Sequence, residues 1–252
     1  MIKKEIFFLM ISVFLIGGCV SSETKNYSKS DDLTSNFRTI IHEGVNREYI
    51  LYVPDSYDGS FSVPVVLNFH GFSGDAYQYM NEADMRILSE SETFILIYPQ
   101  GLDLDGEPHW NACPNGGDNK SDVDDFGFVE TLVEEISSNY SIDLERIYAV
   151  GYSNGGMMAY GLANHKSKLI AAVASVSGAM LDCTGPTSHP MPVIHMHGTD
   201  DFDLPYNGNN YYNSVQNTID YWTNFNNTNQ EPTVNFDNSG EISIEHYIYN
   251  NG

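Results

Sequence analysis

A serine stands between two glycines near the middle of this chain, in the order Gly151-Tyr152-Ser153-Asn154-Gly155. This spacing is typical of a nucleophile elbow, where the glycines let the backbone turn sharply and the turn lifts the serine hydroxyl above a sheet. A serine so placed can attack the carbonyl carbon of an acyl compound after a base has taken its proton. Glycine-rich turns also produce the pattern, so its weight depends on a buried strand before it and a helix after it.

Acidic side chains follow a later apolar segment, in the stretch HMHGTDDFDLPY. A catalytic triad needs one carboxylate, which orients a histidine and stabilises its positive charge. In α/β hydrolases the three residues occur in the order serine, acid, histidine, so the acid is expected after Ser153. The candidates are Asp200, Asp201 and Asp203.

Backbone N–H groups for a developing oxyanion are expected at two places. One is Asn154, directly after the serine, and the other is Phe72, in the segment His70-Gly71-Phe72 that ends an earlier apolar run. Such donors typically contribute about 3 kcal/mol each to transition-state stabilisation. We expect His70 to brace this loop and not to transfer protons.

The general base is the hardest residue to assign. The chain has eight histidines, and only His246 follows the acidic stretch. It shares one face of a predicted strand with three isoleucines, whereas a triad histidine belongs on the loop after that strand. His246 is therefore a weak alternative for the base, and His195 and His197, which precede the acids, are expected to be structural.

Apolar strands and amphipathic helices alternate around these residues. Continuous apolar runs predict buried strands at VPVVLNFHG, TFILIYP, RIYAVGYS, LIAAVASVSG and MPVIHMHG, with EISIEHYIY as a last strand. Helical spacing predicts one helix through Met80, Ala83 and Ile87 and others around Phe126 and Tyr212, and two antiparallel strands are expected around Glu43-Gly44. The repeated order implies an α/β fold, with helices on both faces of a mostly parallel central sheet.

The first residues differ in composition from the rest of the chain. Two lysines, Lys3 and Lys4, precede an apolar run that ends at Ile16, a pattern of an export signal too short for a lasting transmembrane helix. The following Gly17-Gly18-Cys19 completes a likeness to a bacterial lipobox, so residues 1–18 are expected to be a lipoprotein signal peptide and Cys19 the lipidated residue. An ordinary cleaved signal is the alternative. Residues 19–36 are expected to form a flexible polar tether, and residues 37–252 are expected to form the folded domain.

Charge and cysteine content limit the partners and the compartment. A formal net charge of −23 disfavours nucleic acid and anionic polymers and suits neutral substrates, although solubility or a salty environment explains it equally well. With Cys19 lipidated, Cys113 and Cys183 remain, and in an oxidising compartment they can form one disulfide. Two buried free thiols are the alternative.

Five segments together resemble a known family. They are VVLNFHGFSGD, WNAC, VDDFGFV, RIYAVGYSNGGMMAY and HMHGTDDFDLPY. Over most of the stretch from Arg47 to Gly252 the chain is similar to the polyhydroxybutyrate depolymerases and the feruloyl and acetylxylan esterases, carbohydrate esterase family one in the broad sense. The resemblance implies an α/β-hydrolase fold and an esterase domain at residues 37–252.

The resemblance also implies roles for single residues. Alignment with the family stretch HGTADPVVPY puts the triad acid at Asp201. Trp110 lies in a loop that borders the cleft, where it would stack on an aromatic acyl group or a sugar; an aromatic plug in the core is the alternative. Asp124 and Asp125 are expected to cap the next helix. The acid spacing does not follow an EF-hand, so no calcium or other metal site is expected, and no cofactor.

In the family the triad histidine lies on a loop resembling GGGHTWPG after the last strand. The resemblance therefore implies a histidine beyond Gly252 and a missing C-terminal helix. The expected function is that of an exported or lipid-anchored serine esterase acting on feruloyl or acetyl esters of polysaccharides or on short polyhydroxyalkanoate oligomers. The membrane would be contacted through the lipid alone, and the oligomeric state stays open. Alternatives are a serine peptidase of the prolyl oligopeptidase type and a non-catalytic surface binding protein with this fold.

Overall fold

The computed structural model describes residues 37–238 and 242–252. The expected signal peptide at residues 1–18, the lipidated Cys19 and the tether at residues 19–36 lie outside the described residues. Among the helices that are described, none combines the length and the apolar character needed to cross a bilayer.

Eleven strands are present in the described part of the chain. In chain order they are β1 (Phe37–His42), β2 (Val45–Tyr52), β3 (Val63–Phe69), β4 (Ile95–Pro99), β5 (Leu102–Leu104), β6 (Glu107–His109), β7 (Ile142–Tyr152), β8 (Ala172–Val176), β9 (Val193–Met196), β10 (Thr233–Asp237) and β11 (Ile244–Ile248). Seven of them form one sheet in the order β1-β2-β4-β3-β7-β8-β9. The β1–β2 and β2–β4 pairs are antiparallel, and the remaining pairs are parallel. The carboxyl ends of β3, β4, β7, β8 and β9 therefore share one edge.

Five helices cover this sheet on both sides. They are α1 (Ala76–Glu82), α2 (Arg86–Glu92), α3 (Asp125–Asn139), α4 (Asn154–His165) and α5 (Val215–Phe225). Successive residues of the central strands enter opposite cores: Leu67 packs with the side chains of α3, α4 and α5, and Val66 with those of α1 and α2. The strands read as continuous apolar runs because both faces are buried. The predicted mostly parallel sheet with helices on both faces is confirmed.

The helix predicted through Met80, Ala83 and Ile87 is divided in the structure. α1 ends at Glu82 and α2 begins at Arg86. The hydroxyl of Tyr98 accepts a hydrogen bond from the backbone N–H of Met85 and donates one to the carbonyl of Ala83. Backbone groups freed by the break thus find a buried partner, which local spacing could not indicate.

The last predicted strand is not part of the main sheet. β11 pairs antiparallel with β10 in a separate two-stranded sheet. All five residues of β10 are exposed, so this hairpin does not have the buried faces of the central strands. Its alternating polar pattern fits a half-exposed strand, whereas the parallel strands are apolar throughout.

Candidate active site

Ser153 occupies the turn between β7 and α4. Its backbone has φ 52° and ψ −117°, a strained conformation for a residue with a side chain. The turn is held by a hydrogen bond of 2.8 Å from the Ser153 N–H to the carbonyl of Val176. A Cβ at Gly151 would collide with the backbone of Gly155, and a Cβ at Gly155 with the carbonyl of Phe69. Both glycines are therefore required by close backbone packing at the serine.

Two segments with free N–H groups lie beside the serine. Asn154 is the first residue of α4, where backbone N–H groups have no acceptor within the helix and the helix dipole favours negative charge. The loop after β3 passes close by, since a Cβ at Gly71 would lie 3.5 Å from the Cβ of Ser153. Hydrogen bonds from Ser73 to Pro108 and from Gly74 to Gly71 shape this loop. Neither bond uses the N–H of Phe72.

His70 is a structural residue below this loop. Its Nδ1–H donates to the carbonyl of Gly71 at 2.7 Å, and its Nε2 accepts from the N–H of Gly101 at 2.9 Å. Burial lowers the pKa of His70, and the hydrogen bond to Gly71 opposes that shift only in part. The ring is thus held neutral with both nitrogens in use, as expected of a bracing histidine.

The expectation that Trp110 stacks on a substrate is corrected by the structure. The side chain is only 2% exposed, and its indole N–H donates to the carbonyl of His70 at 3.0 Å. Its ring meets that of Phe69 edge to face, with centroids 5.1 Å apart. Trp110 is therefore the aromatic plug of the alternative interpretation, because no ring face is open to a ligand.

The side chain of Asn154 holds the backbone of Trp110 from both sides. Its Oδ1 accepts from the Trp110 N–H at 2.7 Å, and its Nδ2 donates to the Trp110 carbonyl at 3.0 Å. The two residues are 44 positions apart. Sequence reasoning assigned a role only to the backbone of Asn154 and missed this contact, for which the sequence has no local signal.

Asp201 lies in the loop after β9, beyond the carboxyl end of the sheet. Its Oδ1 accepts hydrogen bonds from the N–H groups of Leu204 at 2.9 Å and Asp203 at 3.1 Å. Burial alone would raise the pKa of Asp201, but hydrogen bonds from Leu204 and the Ser177 hydroxyl, with the nearby His197, outweigh burial and lower it. The carboxylate is therefore ionised at neutral pH.

The two other acids of this stretch differ from Asp201 in their surroundings. Asp200 and Asp203 are exposed, while Asp201 is partly buried. Sequence reasoning did not single out Ser177, which follows β8 with φ 47° and supplies a hydroxyl to Asp201. The parallel order of β8 and β9 brings these two residues together.

None of the histidines in the described ranges is hydrogen-bonded to Ser153. The structure places His197 near the acid, with Nε2 at 3.5 Å from the Asp201 Oδ2, but Nε2–H donates to the carbonyl of Leu204 at 2.7 Å. Burial, aided by His197, lowers the pKa of His195 to about 3, so that ring is neutral. His246 lies in β11 opposite Asn235, and no ion pair or hydrogen bond joins it to Asp201 within residues 37–238 and 242–252.

Comparison with known proteins identifies the family. Residues 47–201 match the sequence profile of the family described as Esterase PHB depolymerase. This match covers more than half of the chain and includes the serine turn, the loop after β3 and the acidic stretch as far as Asp201. The chain belongs to the Esterase PHB depolymerase family.

Several curated proteins are similar to this family member. It is 28% identical over 65% of its length to a bifunctional acetylxylan esterase/xylanase of Neocallimastix patriciarum, covering 23% of that protein. It is 30% identical over 70% of its length to a putative esterase of Nocardia uniformis, covering 52% of it. It is 27% identical over 67% of its length to a probable feruloyl esterase C of Aspergillus niger, covering 60% of it. The chain thus spans less than two thirds of each of these relatives.

Solved structures show the same fold. A thermostable esterase superposes with a TM-score of 0.56 at 19% identity, over 70% of this chain and 50% of the other. A carboxylesterase of Bacillus cereus superposes with a TM-score of 0.53 at 18% identity, over 71% of this chain and 81% of the other. The family member therefore has the α/β-hydrolase fold.

Two cross-connections hold the loops of this esterase-family chain around α4. Cys113 and Cys183 are joined in a disulfide, with Cα atoms 5.7 Å apart. Asp125, expected as a helix cap, is instead buried in an ion pair with Arg47 at 2.7 Å. Its second oxygen accepts from the N–H of Asn111 at 2.8 Å. The helix is capped by the preceding Asp124 alone, so that part of the expectation is correct.

Proposed function

We propose that this chain is the catalytic part of a serine carboxylic ester hydrolase. The observation that carries the proposal is the strained turn at Ser153, which follows a buried parallel strand and precedes a helix N-terminus. The hydroxyl of Ser153 would attack the ester carbonyl, and the N–H groups of Phe72 and Asn154 would bind the oxyanion. The intermediate would then break the C–O bond to the alcohol, which leaves with the proton that the base took from Ser153. Water would attack the acyl-serine with the same proton transfers and release the carboxylic acid and the serine hydroxyl, and this chemistry needs no cofactor.

In this proposal Asp201 is the acid that orients the base. Its ionised carboxylate would hold an imidazole in one tautomer and stabilise the imidazolium that forms. The proposed base is a histidine C-terminal to Gly252, and His246 is the alternative. The contacts of Asp201 support a histidine C-terminal to Gly252, since neither carboxylate oxygen of Asp201 is hydrogen-bonded or ion-paired to His246.

The proposed substrates are feruloyl or acetyl esters of polysaccharides, with short polyhydroxyalkanoate oligomers as a further class. Names of the relatives support this choice, because they include acetylxylan and feruloyl esterases. The net charge of −23 favours neutral glycans over anionic ones and over nucleic acid. Export through residues 1–18, with anchoring to the membrane by a lipid on Cys19 alone, would place the enzyme at the cell envelope.

Replacing the serine tests the proposal directly. Ser153→Ala should reduce aryl acetate and methyl ferulate hydrolysis to background, a loss on the order of 10⁶-fold in kcat. Both the 252-residue chain and, where the reading frame continues, the longer product are assayed. Ser62→Ala is the control, since Ser62 is exposed at the opposite end of β3. Turnover that survives in Ser153→Ala would exclude this mechanism.

The same assay separates the remaining alternatives. The 252-residue chain should be a poor esterase if the base lies beyond Gly252, and robust activity lost in His246→Ala would assign the base to His246. Cleavage of a proline-containing chromogenic peptide in place of the esters would indicate a peptidase. Binding of feruloylated oligosaccharide without turnover in the longer product would indicate a binding protein.

A further inference from the structure

A second cluster of chemically active side chains lies away from the serine, between the β1–β2 turn and the start of α3. It consists of His42, the last residue of β1, Glu43 in the turn and Asp124, the N-cap of α3. One ligand atom from each lies within 4.8 Å of the other two. We propose that these three residues bind a divalent transition-metal ion of the Zn²⁺ type.

The tautomer of His42 directs a free lone pair toward this cluster. The hydroxyl of Thr131 donates to the carbonyl of Gly127 at 2.9 Å, so its oxygen is left to accept from the Nδ1–H of His42 at 3.0 Å. The Nε2 of His42 is buried and has no hydrogen-bond partner. It faces the Asp124 Oδ2 at 3.4 Å. Two acceptors at that distance repel each other unless a cation or a proton lies between them.

Asp124 has one oxygen in use and one free for a ligand. Its Oδ1 accepts from the N–H of Gly127 at 3.0 Å and caps α3, while Oδ2 points at His42. A Cβ at position 127 would collide with Oδ2 and lie 2.8 Å from the Cε1 of His42. The glycine thus leaves the space in which carboxylate and imidazole approach.

The donor set decides the class of metal. One imidazole nitrogen and two carboxylates are ligands that Zn²⁺ accepts, commonly as three protein ligands with water in a fourth position. Ca²⁺ and Mg²⁺ prefer oxygen ligands alone. The Thr131 hydroxyl that orients His42 is the kind of outer partner that metal-binding histidines have. The side chain of His42 is 13% exposed and that of Asp124 39%, so water can reach the open position.

The sequence-based expectation that no metal is bound considered only the spacing of the acidic residues before α3. The structure adds His42 from β1, which the antiparallel turn with β2 brings against the helix. A bound ion would connect the β1–β2 turn to α3, whose Asp125 already holds Arg47 of β2. We therefore expect the ion to stabilise the fold, with no part in ester chemistry.

Zn²⁺ binding to the untagged chain, cleared of metal with a chelator, tests the proposal. Titration calorimetry with ZnCl₂ should show one site, and CaCl₂ should show none. At about 100 times its Kd, Zn²⁺ should raise the Tm by about 5 to 10 °C. Asp124→Asn keeps the cap and His42→Ala removes the nitrogen ligand, and each should weaken binding by at least about tenfold.

Matched variants keep the result interpretable if a substitution lowers stability. Each protein's Tm with Zn²⁺ is compared with its own metal-free Tm. Thr131→Val should also weaken binding by about tenfold or more. His189→Ala is the control and should bind like the unchanged chain, because the ring nitrogens of His189 are hydrogen-bonded to the carbonyls of Ser167 and Pro190, away from His42 and Asp124. No Zn²⁺ binding, or an affinity in Asp124→Asn and His42→Ala equal to that of the unchanged chain, would overturn the proposal.

Discussion

At the scale of single residues, the site depends on a few side chains held in uncommon states. Ser153 and Ser177 both have positive φ, and they follow neighbouring parallel strands. Strain of this kind persists only where the surrounding structure imposes it, and here hydrogen bonds to Val176 and Met196 do so. Burial raises the pKa of Asp201, and the hydroxyl of Ser177 is one of the groups that together outweigh burial and lower it, so the turn after β8 supports the proposed acid.

Neutralising the acid should separate Asp201 from its neighbour. Asp201→Asn should lower kcat by about 10⁴-fold, because the histidine would lose its orientation and its charge partner. Asp200→Asn is the control and should keep most of the activity, since that side chain is exposed. The rate of aryl acetate hydrolysis is measured for both variants, each made in the same protein that is used to test Ser153→Ala. A larger loss in Asp200→Asn would show that the acid is assigned to the wrong residue.

The pKa of Asp201 also predicts how stability depends on pH. The pKa of Asp201 in the folded state is below its ordinary value, so the ionised carboxylate contributes to the free energy of unfolding. That contribution is full above the unfolded pKa, about 3.9, and is lost as pH falls through the folded pKa. Thermal unfolding between pH 7 and pH 3 should therefore show a smaller acid-induced loss of Tm in Asp201→Asn. Parallel curves of Tm against pH for the unchanged chain and for Asp201→Asn would contradict this prediction.

At the scale of elements, the buried contacts of α3 and α4 position the loops around the serine. Asn154 of α4 holds the Trp110 peptide, and Asp125 of α3 holds the next residue, Asn111, by its N–H. Arg47 of β2 completes the link, with its guanidinium 3.8 Å above the ring of Phe128. The loop after β6 is thus fixed by two helices and a strand.

Removing the Asn154 amide should loosen that loop. Asn154→Ala leaves the N–H and carbonyl of Trp110 buried without partners, at a cost of about 1–3 kcal/mol each. Urea unfolding should show a lower free energy of unfolding, and the rate of ester hydrolysis should fall if α4 carries the proposed oxyanion donor. Asn81→Ala, at an exposed amide that bonds only the Tyr77 carbonyl, is the control. A fully stable Asn154→Ala would contradict the positioning role.

At the scale of the whole molecule, the sheet and one disulfide bring distant segments together. Cys113 and Cys183 are 70 residues apart and enclose α3, β7, α4 and β8. A cross-link of that span restricts the unfolded chain, and by the chain-entropy estimate it contributes about 4 kcal/mol. It also ties the loop after β6 to the segment after β8.

Breaking the cross-link should lower stability more than its few lost contacts suggest. The double variant Cys113→Ser/Cys183→Ser should unfold at a Tm lower by roughly 10 °C, since about 4 kcal/mol spread over a chain of this size shifts Tm by 2–4 °C per kcal/mol. Treatment of the unchanged protein with a thiol reductant should have a similar effect, whereas the double variant should not respond. An unchanged Tm in both would show that the cross-link contributes nothing.

Local patterns were enough to predict much of this protein. The Gly-x-Ser-x-Gly turn could be predicted because its two glycines are required for steric reasons. The first lies against the backbone of the second, and the second lies against the end of β3. The central strands were found because two buried faces make each of them a continuous apolar run. The antiparallel turn at Glu43-Gly44 was likewise predicted from adjacent residues and is present between β1 and β2.

The remaining features depend on contacts between residues far apart in the chain. Burial of Trp110, the grip of Asn154 on its peptide and the approach of Ser177 to Asp201 all arise where parallel strands end at one edge. The amino-acid sequence by itself determined the glycine-flanked turn at Ser153 and the layered α/β fold, because hydrophobic period and backbone sterics act locally. Only the tertiary structure decided which polar groups meet, since strand order and helix packing set those distances.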